Sequence, residues 1–190
     1  MNKRFLITVA MIFVVSFSRI LTNYLSVNGV GFFWNFTPIA AMALFAGANF
    51  KDKKFSFIVP IVAMLLTDLT LGLLHGLFGF YQQMIYIYGA FAIITFIGIW
   101  LGKRQKVQNI VFASLLSSII FFLVTNFAVW PGNQSYQQSL SGLIDCYVAG
   151  IPFFGNTVAG DLFFCGVLFG TYALLKVKFP SFSETLAKTN

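Results

Sequence analysis

Charge is scarce in this chain: 9% of its 190 residues are Asp, Glu, Lys or Arg, whereas 58% are hydrophobic. Roughly a quarter of the residues in a water-soluble domain are charged, so the shortage excludes that class and implies an integral membrane protein. Cysteine and histidine are rarer still. Cys146, Cys165 and the single histidine, His75, form no CxxC pair and no His-Glu-x-x-His site. Gly-x-Ser-x-Gly nucleophile elbows and glycine-rich phosphate loops are also missing, so the expectation is not an enzyme, with no bound cofactor and no ATP-binding module of its own. Asp68, Asp161 and His75 lack a known ligand spacing, so no metal is expected. No soluble domain, low-complexity tract or internal repeat breaks the chain.

The formal net charge of +7 raises the question of an acidic partner such as nucleic acid, and the placement of the basic residues answers it. Eleven of the twelve lie in short clusters between apolar runs: Lys3 and Arg4; Lys51, Lys53 and Lys54; Lys103, Arg104 and Lys106; Lys176, Lys178 and Lys188. Connections around residues 26–36, 75–83 and 130–150 contain no Lys or Arg. This asymmetry is the one expected when the clusters face the cytoplasm, so the charge reflects topology and no nucleic-acid partner is called for. The reading is an all-α polytopic membrane protein, one six-helix transmembrane domain over 1–190 with both termini cytoplasmic. Its spans are expected at about 5–25, 36–50, 55–74, 84–102, 109–129 and 156–175. Lys3 and Arg4 before an apolar run resemble a signal peptide, but the run to Leu25 is too long and lacks a small-residue cleavage site, so it is read as a retained first span.

Two segments depart from simple spanning helices. Thr37-Pro38 reads as a cap followed by proline at the first helical position, which leaves the second helix about 20 Å long, too short for a hydrocarbon core of about 30 Å. Either the segment 29–36 dips into the membrane as non-helical chain, or the helix begins earlier and Pro38 kinks it. Ala40, Ala41, Ala43, Ala46, Gly47 and Ala48 then serve packing inside the bundle or docking of a partner subunit. Between the fifth and sixth spans, Leu140, Leu143, Ile144, Tyr147 and Val148 have helical spacing, which predicts a short amphipathic helix lying on the outer surface before the last span.

Inside the apolar runs stand Arg19, Asp68 and Asp161, on three different spans. From the cytoplasmic ends, helical rise places them about 21, 20 and 21 Å up. Each would cost roughly 2.5–3.5 kcal/mol at a bilayer centre, so three at one height are expected to converge on a polar pocket. Asn126, Asn35, Asn156 and His75 would add polar contacts, and Trp34, Tyr88 and Trp130 stacking surfaces. The competing reading makes the charges buried ion pairs that lock helices.

Trp34-Asn35-Phe36-Thr37-Pro38-Ile39-Ala40-Ala41, Thr67-Asp68-Leu69, Tyr88-Gly89-Ala90-Phe91, Thr125-Asn126-Phe127 and Gly150-Ile151-Pro152 through Asp161 resemble an uncharacterised bacterial membrane-protein family. That family looks related to the substrate-binding S components of energy-coupling-factor transporters. The resemblance implies a bacterial inner-membrane subunit that captures a small polar or aromatic micronutrient, such as a vitamin, from outside. It would then dock on a membrane scaffold protein driven by ATPase subunits. One departure counts against docking: the small-xxx-small alanine motif common in helix 1 of S components is reduced here to Ala10 followed by Val14. A stand-alone solute carrier and a structural subunit are the other functional readings.

Overall fold

In a computed structural model, which describes residues 3–29, 35–75 and 83–179, the chain forms six helices. Five are long and apolar enough to cross a membrane: α1 (Lys3–Val27), α3 (Lys53–His75), α4 (Met84–Leu101), α5 (Val107–Val129) and α6 (Leu140–Lys178). The sixth, α2 (Ile39–Asn49), is short. This is a multi-pass helical membrane protein. Large apolar side chains such as Val14, Ile85, Phe96 and Val107 are exposed around the bundle, as a lipid solvent demands.

α2 organises the bundle. Its eleven residues span about 16 Å, and every one of them is buried. Asn35 has a φ of 61°, in the left-handed region, so the chain turns there and a helix cannot run continuously through it. Of the two readings of this segment, the short helix is therefore the one observed, although Pro38 occupies the N-cap and Ile39 opens the helix. The alanines and Gly47 serve interior packing. A Cβ on Gly47 would lie 2.3 Å from the Thr95 carbonyl oxygen, and one on Gly98 2.3 Å from that of Leu44, so α2 and α4 cross backbone against backbone. Phe45 meets Phe169 and Tyr172 edge-on across the interface with α6.

Gly98→Ala is expected to cost about 1–3 kcal/mol or more, because a backbone carbonyl cannot swing aside as a side chain can. Gly166→Ala, with nothing within 4 Å of the added carbon and a better helix former in place of glycine, is the matched control and should not lower the melting temperature. Equal melting temperatures for the two variants would refute the close crossing.

The last span differs from its expected bounds of 156–175. Leu140–Lys178 is one helix of 39 residues, about 58 Å long, so the segment expected to lie on the surface is instead the first part of α6. Pro152 sits inside it and removes one backbone hydrogen bond without ending the helix. Packing supplies the reason: the Tyr147 hydroxyl donates to the Leu123 carbonyl at 2.9 Å, and Phe122 stacks on Tyr147 and Phe154. These contacts hold both sides of the proline against α5. Ser139 caps the start by accepting from the Gly142 amide at 3.3 Å.

The basic clusters meet at one end of the bundle. Lys53 Nζ donates to the Gly47 and Phe50 carbonyls at 3.2 and 2.8 Å, and Gln105 Nε2 to that of Ala48 at 3.3 Å. Arg4 Nε donates to the Tyr172 hydroxyl, and Phe5 packs on Phe50 and Phe55. The buried C-terminus of α2 is thus closed by a cation and an amide, which satisfies carbonyls that lipid could not and complements the negative helix end.

Candidate functional site

Arg19, in the middle of α1, points at α3. Its Nη2 lies 2.8 Å from Asp68 Oδ1, and its Nη1 donates to Thr67 Oγ1 at 2.6 Å and reaches Met64 Sδ at 3.3 Å. From α4 the Tyr88 hydroxyl donates to Asp68 Oδ2 at 3.2 Å. The paired side chains are 12% and 10% exposed, so the charges are shielded but still reachable. Among the described residues this is the only ion pair.

Above it opens a cavity of about 290 Å³. Arg19, Thr22 and Ser26 line one wall, and Asn35 and Thr37, from the turn into α2, line the other. Thr22 and Ser26 donate to carbonyls of their own helix at 3.2 and 2.7 Å. Asn35 and Thr37 have no side-chain hydrogen-bond partner among the described residues, nor has Arg19 Nε. No acidic residue lines the cavity, so it offers a cationic group, hydroxyls and a carboxamide to an oxygen-rich solute.

Asp161 does not join this cluster. It is 2% exposed, accepts from Ser118 Oγ at 2.7 Å, and takes the backbone amide of Ala41 in the first turn of α2. Pro38 provides no side-chain cap, so a carboxylate from α6 caps the helix across the bundle and lies at its positive end. A Cβ on the neighbouring Gly160 would lie 3.1 Å from the Thr37 amide nitrogen, which shows how closely the turn into α2 rests on α6. Thr37 therefore has the cavity on one side and α6 on the other. The expected convergence of three charges is corrected accordingly: Arg19 and Asp68 meet, and Asp161 is engaged elsewhere because the entry to α2 stands between them.

The remaining candidates divide. Asn35 and Tyr88 belong with Arg19 and Asp68. Asn126 Nδ2 donates to the Phe122 carbonyl at 2.8 Å, and its Oδ1 lies where a Cβ on Gly150 would be, 2.3 Å away. Trp130 Nε1 donates to the Gln137 carbonyl at 2.8 Å, closing the connection from α5 to α6. Asn156 is half-buried on α6. These three do not line the Arg19 cavity. Trp34 and the side chain of His75 lie outside the described residues. Thr67 and Thr37, read from the sequence only as part of a motif and as a helix cap, and Ser118, not singled out at all, are not among the expected site residues. Ser114, Ser117 and Ser118 were a readable signal, because three hydroxyls recur at helical spacing in an apolar span, and all three are buried with Ser118 reaching Asp161 on α6. Among the described residues no group of three His, Cys, Asp or Glu side chains could hold a metal.

Fold and cavity together define a polytopic membrane protein with a polar chamber at the end of the bundle opposite its basic clusters. The chain belongs to the family described as a family of unknown function (DUF6580), whose model matches residues 1–182. No curated protein and no solved structure matches it.

Proposed function

We propose that this protein is a solute-binding membrane subunit of the S-component type, which captures a small polar solute at the outer face of a bacterial cell membrane. The observation that carries the reading is the cavity lined by Arg19, Asn35 and Thr37, with polar groups that have no partner among the described residues. Arg19 would bind an acceptor oxygen of the solute, held in place by Asp68 and Tyr88; Asn35 and Thr37 would select it. Six helices and a basic face, taken as cytoplasmic, support the relation to S components, and with it uptake driven by partner ATPase subunits through a membrane scaffold.

Asp161 favours a structural role for that one residue, because its partners are the Ser118 hydroxyl and the Ala41 amide. That explains the third charge and leaves the cavity unexplained.

Native mass spectrometry of the detergent-purified protein tests the reading. A small molecule should remain bound, and Asn35→Gly with Thr37→Val should weaken its retention about tenfold, two neutral hydrogen bonds at about 0.5–1.5 kcal/mol each, without changing the melting temperature. Glycine keeps the left-handed backbone that Asn35 adopts. A protein that retains no solute, or retains it equally in the double variant, would overturn the assignment.

A further inference from the structure

Among the described residues, the Arg19 cavity adjoins an opening between α1 and α3. A second groove, of about 590 Å³, runs between α1 and α3 and shares Asn23, Val27 and Leu71 with the cavity. Three stripes on α1 explain the junction. Arg19, Thr22 and Ser26 form a polar stripe; Asn23 and Val27, one turn apart, form its border; Phe17, Leu21 and Tyr24 continue round the helix into the groove. Across from them Leu71 forms the common floor, and Leu74 extends the apolar side.

From this continuity we infer that the solute is a single-chain amphiphile, with an oxygen-rich head, a carboxylate in the simplest case, in the Arg19 cavity and an apolar tail in the groove between α1 and α3. The inference rests on the solute-binding reading and adds the substrate class and a lateral route of entry from the membrane. Donor chemistry sets the head: Arg19, whose charge Asp68 balances, is the one charged residue of the cavity lining, and a guanidinium donates hydrogen bonds and accepts none, so it meets an oxygen acceptor and not a cation. A mostly apolar lining sets the tail: Phe17, Ile20, Leu21, Val27, Leu71 and Leu74 outnumber Asn23, Tyr24 and Asn28, and Asn28 Nδ2 already donates to the Tyr24 carbonyl at 2.7 Å. Depth disfavours a bilayer phospholipid as occupant. Arg19 lies eight residues, about 12 Å, below Val27 at the end of α1, whereas a phospholipid head stays at the interface.

The test uses the full chain in amphipol and measures saturable binding, one per chain, of dodecanoate and of acetate. Dodecanoate should bind at least about a hundredfold tighter, since each methylene shielded from water adds severalfold. Val27→Trp, which fills the shared neck from a position 67% exposed, should reduce that advantage below about tenfold; Val14→Trp, on another exposed part of α1, should leave it intact. The inference is overturned if acetate binds as tightly as dodecanoate, if no saturable dodecanoate binding occurs, or if Val27→Trp keeps the chain-length advantage. It is equally overturned if native mass spectrometry finds a diacyl phospholipid that dodecanoate does not displace. A short polar solute that binds in an Arg19-dependent way with no gain from a tail would sink this inference alone, whereas a cavity that binds no solute would sink the functional reading beneath it.

Discussion

Asp161→Leu is expected to destabilise the protein by several kcal/mol. Leucine fills a similar volume, and replacing a buried charge by an apolar group is often neutral when its partner is replaced as well. Here the partner is a backbone amide that cannot be removed. The Ala41 N–H would be left buried without an acceptor, at about 1–3 kcal/mol, and the first turn of α2 would lose its side-chain cap, worth about 0.5–2 kcal/mol. Ser118 suffers less, because its hydroxyl also reaches the Ser114 carbonyl at 3.0 Å. Asp161→Asn keeps an acceptor oxygen for Ala41, and the Ser118 hydroxyl can turn to accept from the new amide, so its loss should be less than half as large. Thermal unfolding of the two variants in one detergent measures the difference. If leucine is tolerated as well as asparagine, α2 does not depend on a cap from α6.

The second large effect concerns Arg19 and Asp68. Arg19→Met leaves the Asp68 carboxylate in an apolar span with the Tyr88 hydroxyl, and Asp68→Leu leaves the guanidinium with Thr67 and Met64. Each single change is expected to cost about 3–5 kcal/mol, the usual penalty for stranding one member of a shielded pair. Arg19→Met with Asp68→Leu strands neither and should recover stability to within about 1 kcal/mol of the parent chain. The same variants separate the two roles of the pair. A double variant that melts like the parent but retains no solute would assign the pair to binding. One that melts like the parent and still retains its solute would make the pair a packing device and remove Arg19 from the site. Singles and double of equal instability would show that no coupling exists between the two side chains.

Much of the architecture was legible because lipid imposes simple rules. Residues 55–74, 84–102 and 109–129 were bounded by apolar composition and basic flanks, and α3, α4 and α5 follow those bounds to within about two residues. The short α2 was legible in Thr37-Pro38, one of two readings until the turn at Asn35 decided it. The shared height of Arg19 and Asp68 was also legible, because helical rise converts residue number into depth. Direction round the helix axes was not. Rise says nothing about which neighbour a side chain faces, and so Asp161, at the same depth, was grouped with charges from which the entry to α2 separates it. The continuity of α6 escaped for a related reason: the spacing from Leu140 to Val148 reads locally as a separate surface helix, and the contacts of Tyr147 and Phe154 with Phe122 that join it to the last span come from another helix.

By itself, the sequence determined that the chain lives in lipid, where α3, α4 and α5 run, and that its basic residues gather at one end, because hydropathy and charge are summed along the chain and need no partner to be read. Which buried charges meet, how a short helix with two polar ends can exist inside the bundle, and where a chamber opens beside Arg19 were decided only by tertiary structure. Each depends on groups distant in sequence, Asp161 and Lys53 for the ends of α2 and Asp68 with Tyr88 for Arg19, whose pairing is fixed when helices pack and rotate against one another.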